Sequence, residues 1–255
     1  MNTAISPVTP GIRLAAFRLP DPCQNHLLDA LPRADYDRLA ARLQLVPMNL
    51  GDVIYESGAH LPYVFFPTTA IISLLYELQD GAIAEIAIVG NEGILGTPAF
   101  MGAGVTSNRA VIKSAGMAYR LNAELLVAEF ARFGATAHLL LRYTQALIMQ
   151  ISQTAVCNRY HSVDKQLCRC LLGSLDRLRG NDLRMTQELI ANTLGVRREG
   201  ITEAAGNLQK AGLIQYQRGH IEVLDRKGLE ARSCECYRVV RSEYDRLLPS
   251  VSLRC

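Results

Sequence analysis

Hydrophobic and polar residues alternate in different patterns along the chain, and each pattern predicts a different structure. Apolar residues recur at helical spacing from His26 to Leu43, where Pro32 is expected to interrupt the helix. From Val46 to about Leu121, short apolar runs alternate with glycine-rich turns. This alternation predicts an antiparallel barrel or sandwich of short strands. Residues 1–25 show little periodicity and are expected to form a leader.

A long helix is predicted next, from about Thr136 to Arg159. Alternate steps of four and three residues mark one stripe along it, which is the spacing of a coiled coil. Such a stripe can be buried within its own chain or can form the seam of a dimer, and its polar members favour the seam. The predicted dimer interface therefore consists of Leu140, Thr144, Leu147, Ile151, Thr154 and Asn158.

The last third of the chain predicts helix, turn, helix and hairpin in succession. Ser162 is expected to cap a first helix, and Thr186 a second one that stops at Gly195. A third helix is predicted from about Arg197 to Ala211, and two strands flank Arg218-Gly219. This order of elements is that of a winged helix-turn-helix, a DNA-binding motif.

Polar residues gather where such a motif contacts DNA. Arginines can reach guanine edges or phosphates, a glutamate can accept from cytosine, and threonines can touch a thymine methyl or the backbone. A helical hairpin with solvated arginines is the alternative interpretation, and the coincidence of helices, glycine and hairpin favours DNA. The predicted DNA-binding residues are Thr186, Gln187, Arg197, Arg198, Glu199, Thr202 and Arg218.

Charge and composition agree with this interpretation. The 255 residues are 49% hydrophobic and 20% charged, which allows two domains with sizeable cores. Residues 160–255 contain 16 Lys and Arg against 12 Asp and Glu, a net charge of +4, whereas residues 1–159 carry −1. No apolar run approaches about 18 residues, so we expect a cytoplasmic protein with no membrane partner.

The cysteines do not suggest a cofactor. Their odd number, seven, argues for reduced thiols rather than a disulfide framework. Cys168 and Cys170 are two apart on a predicted helix and therefore point to different sides. Cys234 and Cys236 have no histidine near them in the sequence to complete a zinc set, so no metal is predicted. A redox-sensitive thiol pair is the alternative for these two.

The segment Leu194–Glu203 resembles the recognition helix of the Crp/Fnr family of bacterial regulators. Arg198 and Glu199 stand where that family has its Arg-Glu reading pair. The next family arginine is replaced by Glu203, which argues against the family's usual operator sequence. Residues 65–67 and 90–93 also resemble pieces of the family's sensor domain, and the predicted long helix resembles its dimerisation helix.

The resemblance implies an α+β fold. An N-terminal antiparallel β-roll of the cyclic-nucleotide-binding type would span 26–133, a dimerisation helix 134–161 and a winged helix-turn-helix 162–230, with a C-terminal extension over 231–255. It also implies a homodimer on a palindromic site in double-stranded DNA, an effector or stress signal sensed in the β-roll, and RNA polymerase as a further partner. No catalytic motif is found, so an enzyme is not expected. The alternative is a sensor module that acts through protein partners.

The effector site departs from the cyclic AMP-binding members. Glu92 matches the family glutamate, but Thr106-Ser107 stands in place of the Arg-Ser/Thr pair, and Arg109 lies three residues after Thr106. Because a bound phosphate needs a cation or aimed N–H groups, cyclic AMP binding is not expected. An iron–sulfur sensor needs several N-terminal cysteines, and only Cys23 is there. Haem or another small effector stays open.

Overall fold

The structure is a computed structural model that describes residues 19–178 and 180–248; most of the predicted leader lies outside these ranges. A 3₁₀ turn at Pro22–Gln24 leads into helix α1, His26–Asp29, and helix α2, Arg33–Ala40. Pro32 separates the two helices, as predicted. Asn25 caps α1, because its side-chain oxygen accepts hydrogen bonds from the first amides of that helix at 3.2 Å.

Seven short strands and two helices form the N-terminal domain, which is named the sensor domain after its predicted role. The strands are β1 Gln44–Met48, β2 Val53–Tyr55, β3 Tyr63–Pro67, β4 Ile71–Glu77, β5 Ile83–Val89, β6 Arg109–Ser114 and β7 Gly116–Asn122; helices α3 Thr97–Phe100 and α4 Ala123–Phe130 accompany them. All pairings are antiparallel, in sheets ordered β1-β7-β3 and β2-β6-β4-β5. The predicted antiparallel sandwich or barrel is thus confirmed.

The long helix α5, Ala135–Tyr160, packs lengthwise against this domain. Its residue Tyr143 is completely buried in the sensor core. No helix among the described residues, α5 included, is long and apolar enough to cross a membrane.

The stripe predicted as the dimer seam faces the chain's own core, which corrects that prediction. Four of its members are buried within the single chain and a fifth is half-buried against the sensor core; these are Leu140, Thr144, Leu147, Thr154 and, half-buried, Ile151. Only Asn158 is exposed. The exposed apolar residues Leu141 and Ile148 lie one position further along the helix. Its polar members Thr144 and Thr154 are satisfied within α5, because each hydroxyl donates a 2.9 Å hydrogen bond to the carbonyl four residues earlier.

The DNA-binding domain consists of α6 Val163–Leu175, β8 Asp182–Arg184, α7 Gln187–Leu194, α8 Arg198–Lys210, β9 Ile214–Gln217, β10 His220–Val223 and α9 Arg226–Arg232. The predicted helices and hairpin are present within one or two residues of their expected bounds. Strand β8 was not predicted; it pairs with β10 and makes the wing a three-stranded sheet. A separate apolar core holds this domain together.

Helix α10, Glu235–Leu247, returns from the DNA-binding domain to α5. The amide nitrogen of Gln150 donates a 3.0 Å hydrogen bond to the hydroxyl of Tyr244, and the Tyr143 and Tyr244 rings meet edge to face at 6.5 Å. A helix in this C-terminal extension was not predicted. Its signal was the spacing of Tyr237, Val240 and Tyr244, which share one helical face.

Candidate DNA-binding site

The turn between α7 and α8 is built by local contacts. Thr186 caps α7, since its hydroxyl oxygen accepts from the amide of Leu189 at 3.1 Å. Gly195 ends the helix at φ 64° and ψ 35°, a left-handed conformation that suits glycine. The amide of Val196 then donates to the carbonyl of Ala191 at 3.1 Å, which closes the turn.

One face of α8 fixes its position and the other is free. Its inner face consists of residues buried in the domain core, namely Ile201, Ala204, Ala205 and Leu208. Two of the four are alanines, so the helices can approach closely. The side chains at the start of α8 that are not part of this buried face point away from the domain.

The free end of α8 is polar and positively polarised. Arg197, Arg198, Glu199 and Thr202 are exposed there, as expected of DNA-contacting residues. No side chain caps the first amides of α8, so they and the helix dipole present positive charge to the outside. The hydroxyl of Thr202 donates a 2.8 Å hydrogen bond to the side-chain oxygen of Gln187, which ties α8 to the start of α7.

The wing brings a further arginine to the same surface. Arg218 and Gly219 form the two-residue turn between β9 and β10, with φ 50° and 82°. The carbonyl of Gly219 accepts from the amide of Met185 at 2.8 Å, so this turn lies beside Thr186. The structure thus brings together Thr186, Gln187 and Arg218 next to the start of α8. Their contacts with phosphate stay a prediction.

The four effector candidates are not brought to one place. Arg109 is engaged by Glu56, with Nε 3.1 Å from a carboxylate oxygen. Thr106 is buried and its hydroxyl oxygen accepts from the amide of Asn108 at 3.3 Å, while the carbonyl of Ser107 faces Ser57. Glu92 lies elsewhere, paired with Arg177 at 2.8 Å. A shared ligand site made of these residues is therefore not present.

Two cavities adjoin the sensor domain. The larger, about 490 Å³, lies among β5, α5, α6 and α10 and is lined in part by Glu92, Arg177 and Tyr244. The smaller, about 180 Å³, lies between the strands and α5, with Tyr55, Asn108 and other uncharged residues around it. Neither contains Thr106, Ser107 or Arg109 in its lining.

Cys168 and Cys170 are core residues of the DNA-binding domain. Both thiols are buried in its apolar cluster. Burial raises the pKa of Cys168 to about 12 and also raises that of Cys170. These two cysteines have no role in the surface described above.

The remaining cysteine pair has a different environment. Cys234 and Cys236 meet Cys157 and His161, which lie at the end of α5. No histidine is near Cys234 and Cys236 in the sequence, but His161 lies close to them in space. Hydrogen bonds from the neighbouring Cys157 and Cys236 thiols lower the pKa of Cys234 to about 5. The hydrogen bond between Cys157 and Cys234 raises the pKa of Cys157.

Comparison with known proteins agrees with this architecture. Residues 165–232, from α6 to α9, match the family model of the Crp-like helix-turn-helix domain. No curated protein matches the sequence. The resemblance to Crp/Fnr regulators and the α+β fold are confirmed by this domain together with many solved structures of similar fold.

Three solved structures illustrate the match. FixK2 from Bradyrhizobium japonicum has 15% identity and a TM-score of 0.62, covering 75% of this chain and 98% of that chain. The CRP/FNR family transcriptional regulator TTHA1359 from Thermus thermophilus has 20% identity and a TM-score of 0.58, covering 74% and 98%. The c-di-GMP responsive global regulator CLP from Xanthomonas campestris has 14% identity and a TM-score of 0.58, covering 76% and 100%.

Proposed function

We propose that this protein is a sequence-specific, DNA-binding transcription regulator. It has a Crp-like helix-turn-helix domain and the fold of the Crp/Fnr regulators. The observation that carries the proposal is the exposed, uncapped first turn of α8, with Arg198 and Glu199 free to meet base edges. Its neighbours Thr186, Gln187 and Arg218 would hold the phosphates on either side.

We further propose a homodimer built on the exposed face of α5. Leu141, Gln145, Ile148, Ser152 and Ala155 are exposed and are separated by steps of four and three. This is the spacing of a two-helix seam. Pairing two α5 helices there would present two α8 helices to half-sites about 34–36 Å apart on a palindrome.

The controlling signal is proposed to act in the sensor domain and to reach DNA through α5. Support comes from the small cavity, which lies between the strands and α5, so that a ligand there would bear on the helix directly. Cyclic AMP is a poor candidate, because the cavity lining carries no charged side chain and Arg109 is engaged by Glu56. We place the protein in the cytoplasm, acting on transcription with RNA polymerase.

Selection from random duplex DNA at fixed ionic strength tests the proposal. We expect a two-fold symmetric motif with half-sites one helical turn apart, protected in footprinting. Fixed salt matters because phosphate contacts make affinity strongly dependent on ionic strength. Retention of all sequences with equal, salt-sensitive affinity would reject specific recognition and favour a sensor that acts through protein partners.

A further inference from the structure

Four side chains that bind metals in other proteins converge at the junction between the two domains. Their ligand atoms, the Sγ atoms of Cys157, Cys234 and Cys236 and a ring nitrogen of His161, all lie within 4.8 Å of one another. The Cys157 and Cys234 sulfurs are 3.6 Å apart, and Cys236 Sγ is 3.4 Å from Nδ1 of His161. The three cysteines are buried and the histidine side chain is 13% exposed.

The sulfur–sulfur separation and the sulfur–nitrogen separation match those of a tetrahedral zinc site. Zinc binds sulfur at about 2.3 Å and imidazole nitrogen at about 2.0–2.1 Å. At tetrahedral angles, those bonds place two sulfurs about 3.8 Å apart and a sulfur and a nitrogen about 3.6 Å apart. The two measured distances, 3.6 Å and 3.4 Å, are each within a few tenths of an ångström of these values.

Two neighbouring side chains, those of Glu235 and Gln153, contact the cluster in the way that the residues around a metal site hold its ligands. Nε2 of His161 lies 3.4 Å from a carboxylate oxygen of Glu235, which leaves Nδ1 as the nitrogen facing the sulfurs. A metal-binding histidine commonly gives its other ring N–H to a carboxylate in this way. The amide nitrogen of Gln153 donates to Cys236 Sγ at 3.2 Å, a bond that suits a thiolate.

The local backbone explains why the four side chains meet. Cys157 and His161 are four residues apart at the end of α5, so they share one side of the helix. Cys234 precedes α10 in extended conformation, with φ −78° and ψ 165°, while Cys236 is in its first turn. The rule that helical residues two apart diverge therefore does not apply to this pair.

We propose that Cys157, His161, Cys234 and Cys236 bind one zinc(II) ion. Four protein ligands leave no open coordination position, so the site is structural and not catalytic. It would join the end of α5 to the start of α10, where only His161 and Ser162 link α5 to α6. The ion would thus hold the DNA-binding domain against the sensor domain. This inference does not depend on the proposed DNA recognition.

Zinc content and ligand substitution test the site. We expect protein purified under reducing conditions to contain one equivalent of zinc per chain, and cobalt(II) put in its place to show a tetrahedral spectrum with thiolate charge-transfer bands. Cys236→Ser and His161→Ala should each lose the stoichiometric metal. Cys168→Ser, which removes a buried thiol outside the cluster, should keep it. Glu235→Gln should keep the metal with about 10–100-fold lower affinity.

Three results would overturn the proposal. The first is wild-type protein that takes up no stoichiometric zinc after reduction. The second is equal zinc affinity in wild type and Cys236→Ser. The third is a disulfide between Cys157 and Cys234 in the native protein, if the protein still binds no zinc after that disulfide has been reduced. If Cys236→Ser does not fold, the cobalt spectrum of wild type decides, because an octahedral spectrum or one without thiolate bands contradicts the assignment.

Discussion

Arg177 of the DNA-binding domain donates a hydrogen bond from Nε to a carboxylate oxygen of Glu92 in the sensor domain, at 2.8 Å. The two side chains are 8% and 13% exposed. The same guanidinium donates to the carbonyl of Gly173 at 2.7 Å and lies 5.8 Å from the centre of the Tyr244 ring. This residue pair therefore joins the segment that follows β5 to the end of α6 and to α10.

Glu92→Gln is expected to destabilise the protein by about 3–5 kcal/mol, because it leaves the buried Arg177 charge without a counter-ion. The measurement is the free energy of unfolding from urea denaturation. The matched control is Asp37→Asn, which breaks the exposed ion pair with Arg33 and should cost less than about 1 kcal/mol. Equal losses in the two variants would show that Arg177 does not depend on Glu92.

Alanine substitutions at Gly93 and at Gly206 should change the free energy of unfolding in opposite directions. A Cβ at Gly93 would lie 2.4–2.6 Å from atoms of the Tyr143 ring, which is fully buried and has no room to move. Gly93→Ala should therefore cost about 1–3 kcal/mol. Gly206 is inside α8 and a Cβ there meets nothing within 4 Å, so Gly206→Ala should stabilise by about 0.5–1 kcal/mol. Thermal unfolding of both variants checks the signs.

Arg198→Ala should weaken binding to the selected DNA motif by about 1–3 kcal/mol and relax base preference at one position of each half-site. The control, Arg238→Ala, removes an exposed arginine of α10 and so changes the net charge equally. Binding titrations on the motif and on base-substituted duplexes distinguish the effect of Arg198→Ala from that of Arg238→Ala. An unchanged motif in Arg198→Ala would mean that this arginine does not contact bases.

Ile148→Glu should convert the proposed dimer into monomers, because it places a charge on the exposed face of α5 that would form the seam. Analytical ultracentrifugation measures the change. Val127→Glu puts the same charge on another exposed apolar residue, on α4, and should leave the dimer intact. A dimeric Ile148→Glu protein would place the interface elsewhere.

Protonation of the half-buried His26 should lower the free energy of unfolding in mild acid. Burial lowers the pKa of His26, against the opposing effects of Glu92 and Asp29. A lowered folded-state pKa means that the unfolded chain takes up the proton first, so stability falls as pH drops through about 6.5. The ring nitrogen also accepts from the side-chain amide of Asn91 at 3.3 Å when neutral.

The measurement is the free energy of unfolding at about pH 7.5 and about pH 5.5. Wild type should lose more stability between these values than His26→Gln does. His138→Gln, at an exposed position of α5, is the control and should follow wild type. A loss in His26→Gln as large as in wild type would assign the acid sensitivity to other groups.

The helix-turn-helix could be predicted from sequence because its determinants are local. The cap at Thr186, the left-handed turn at Gly195 and the inner face of α8 each depend on neighbours within a few residues. Arg198 and Glu199 were expected to be exposed at the start of α8, and they are. The strands of the sensor domain were predicted for a similar reason, since turns and apolar runs alternate along the sequence.

The orientation of α5 could not be predicted in this way. The stripes that begin at Leu140 and at Leu141 have the same steps of four and three, and both contain apolar and polar residues. Which one faces the core depends on where the strands and α10 pack, and the stripe at Leu140 is the buried one. Periodicity predicts that a helix has a buried face but does not choose between two adjacent candidates.

By itself, the sequence determined most of the helices and strands and the polar surface of the helix-turn-helix, because hydrophobic period, caps and turns act over short distances along the chain. Only the tertiary structure decided the pairing of Glu92 with Arg177, the direction of the α5 stripe and the meeting of Cys157 with Cys234. The first and third of these bring together residues 85 and 77 positions apart. Contacts between residues so far apart in the sequence depend on how the whole chain packs, and no local pattern encodes them.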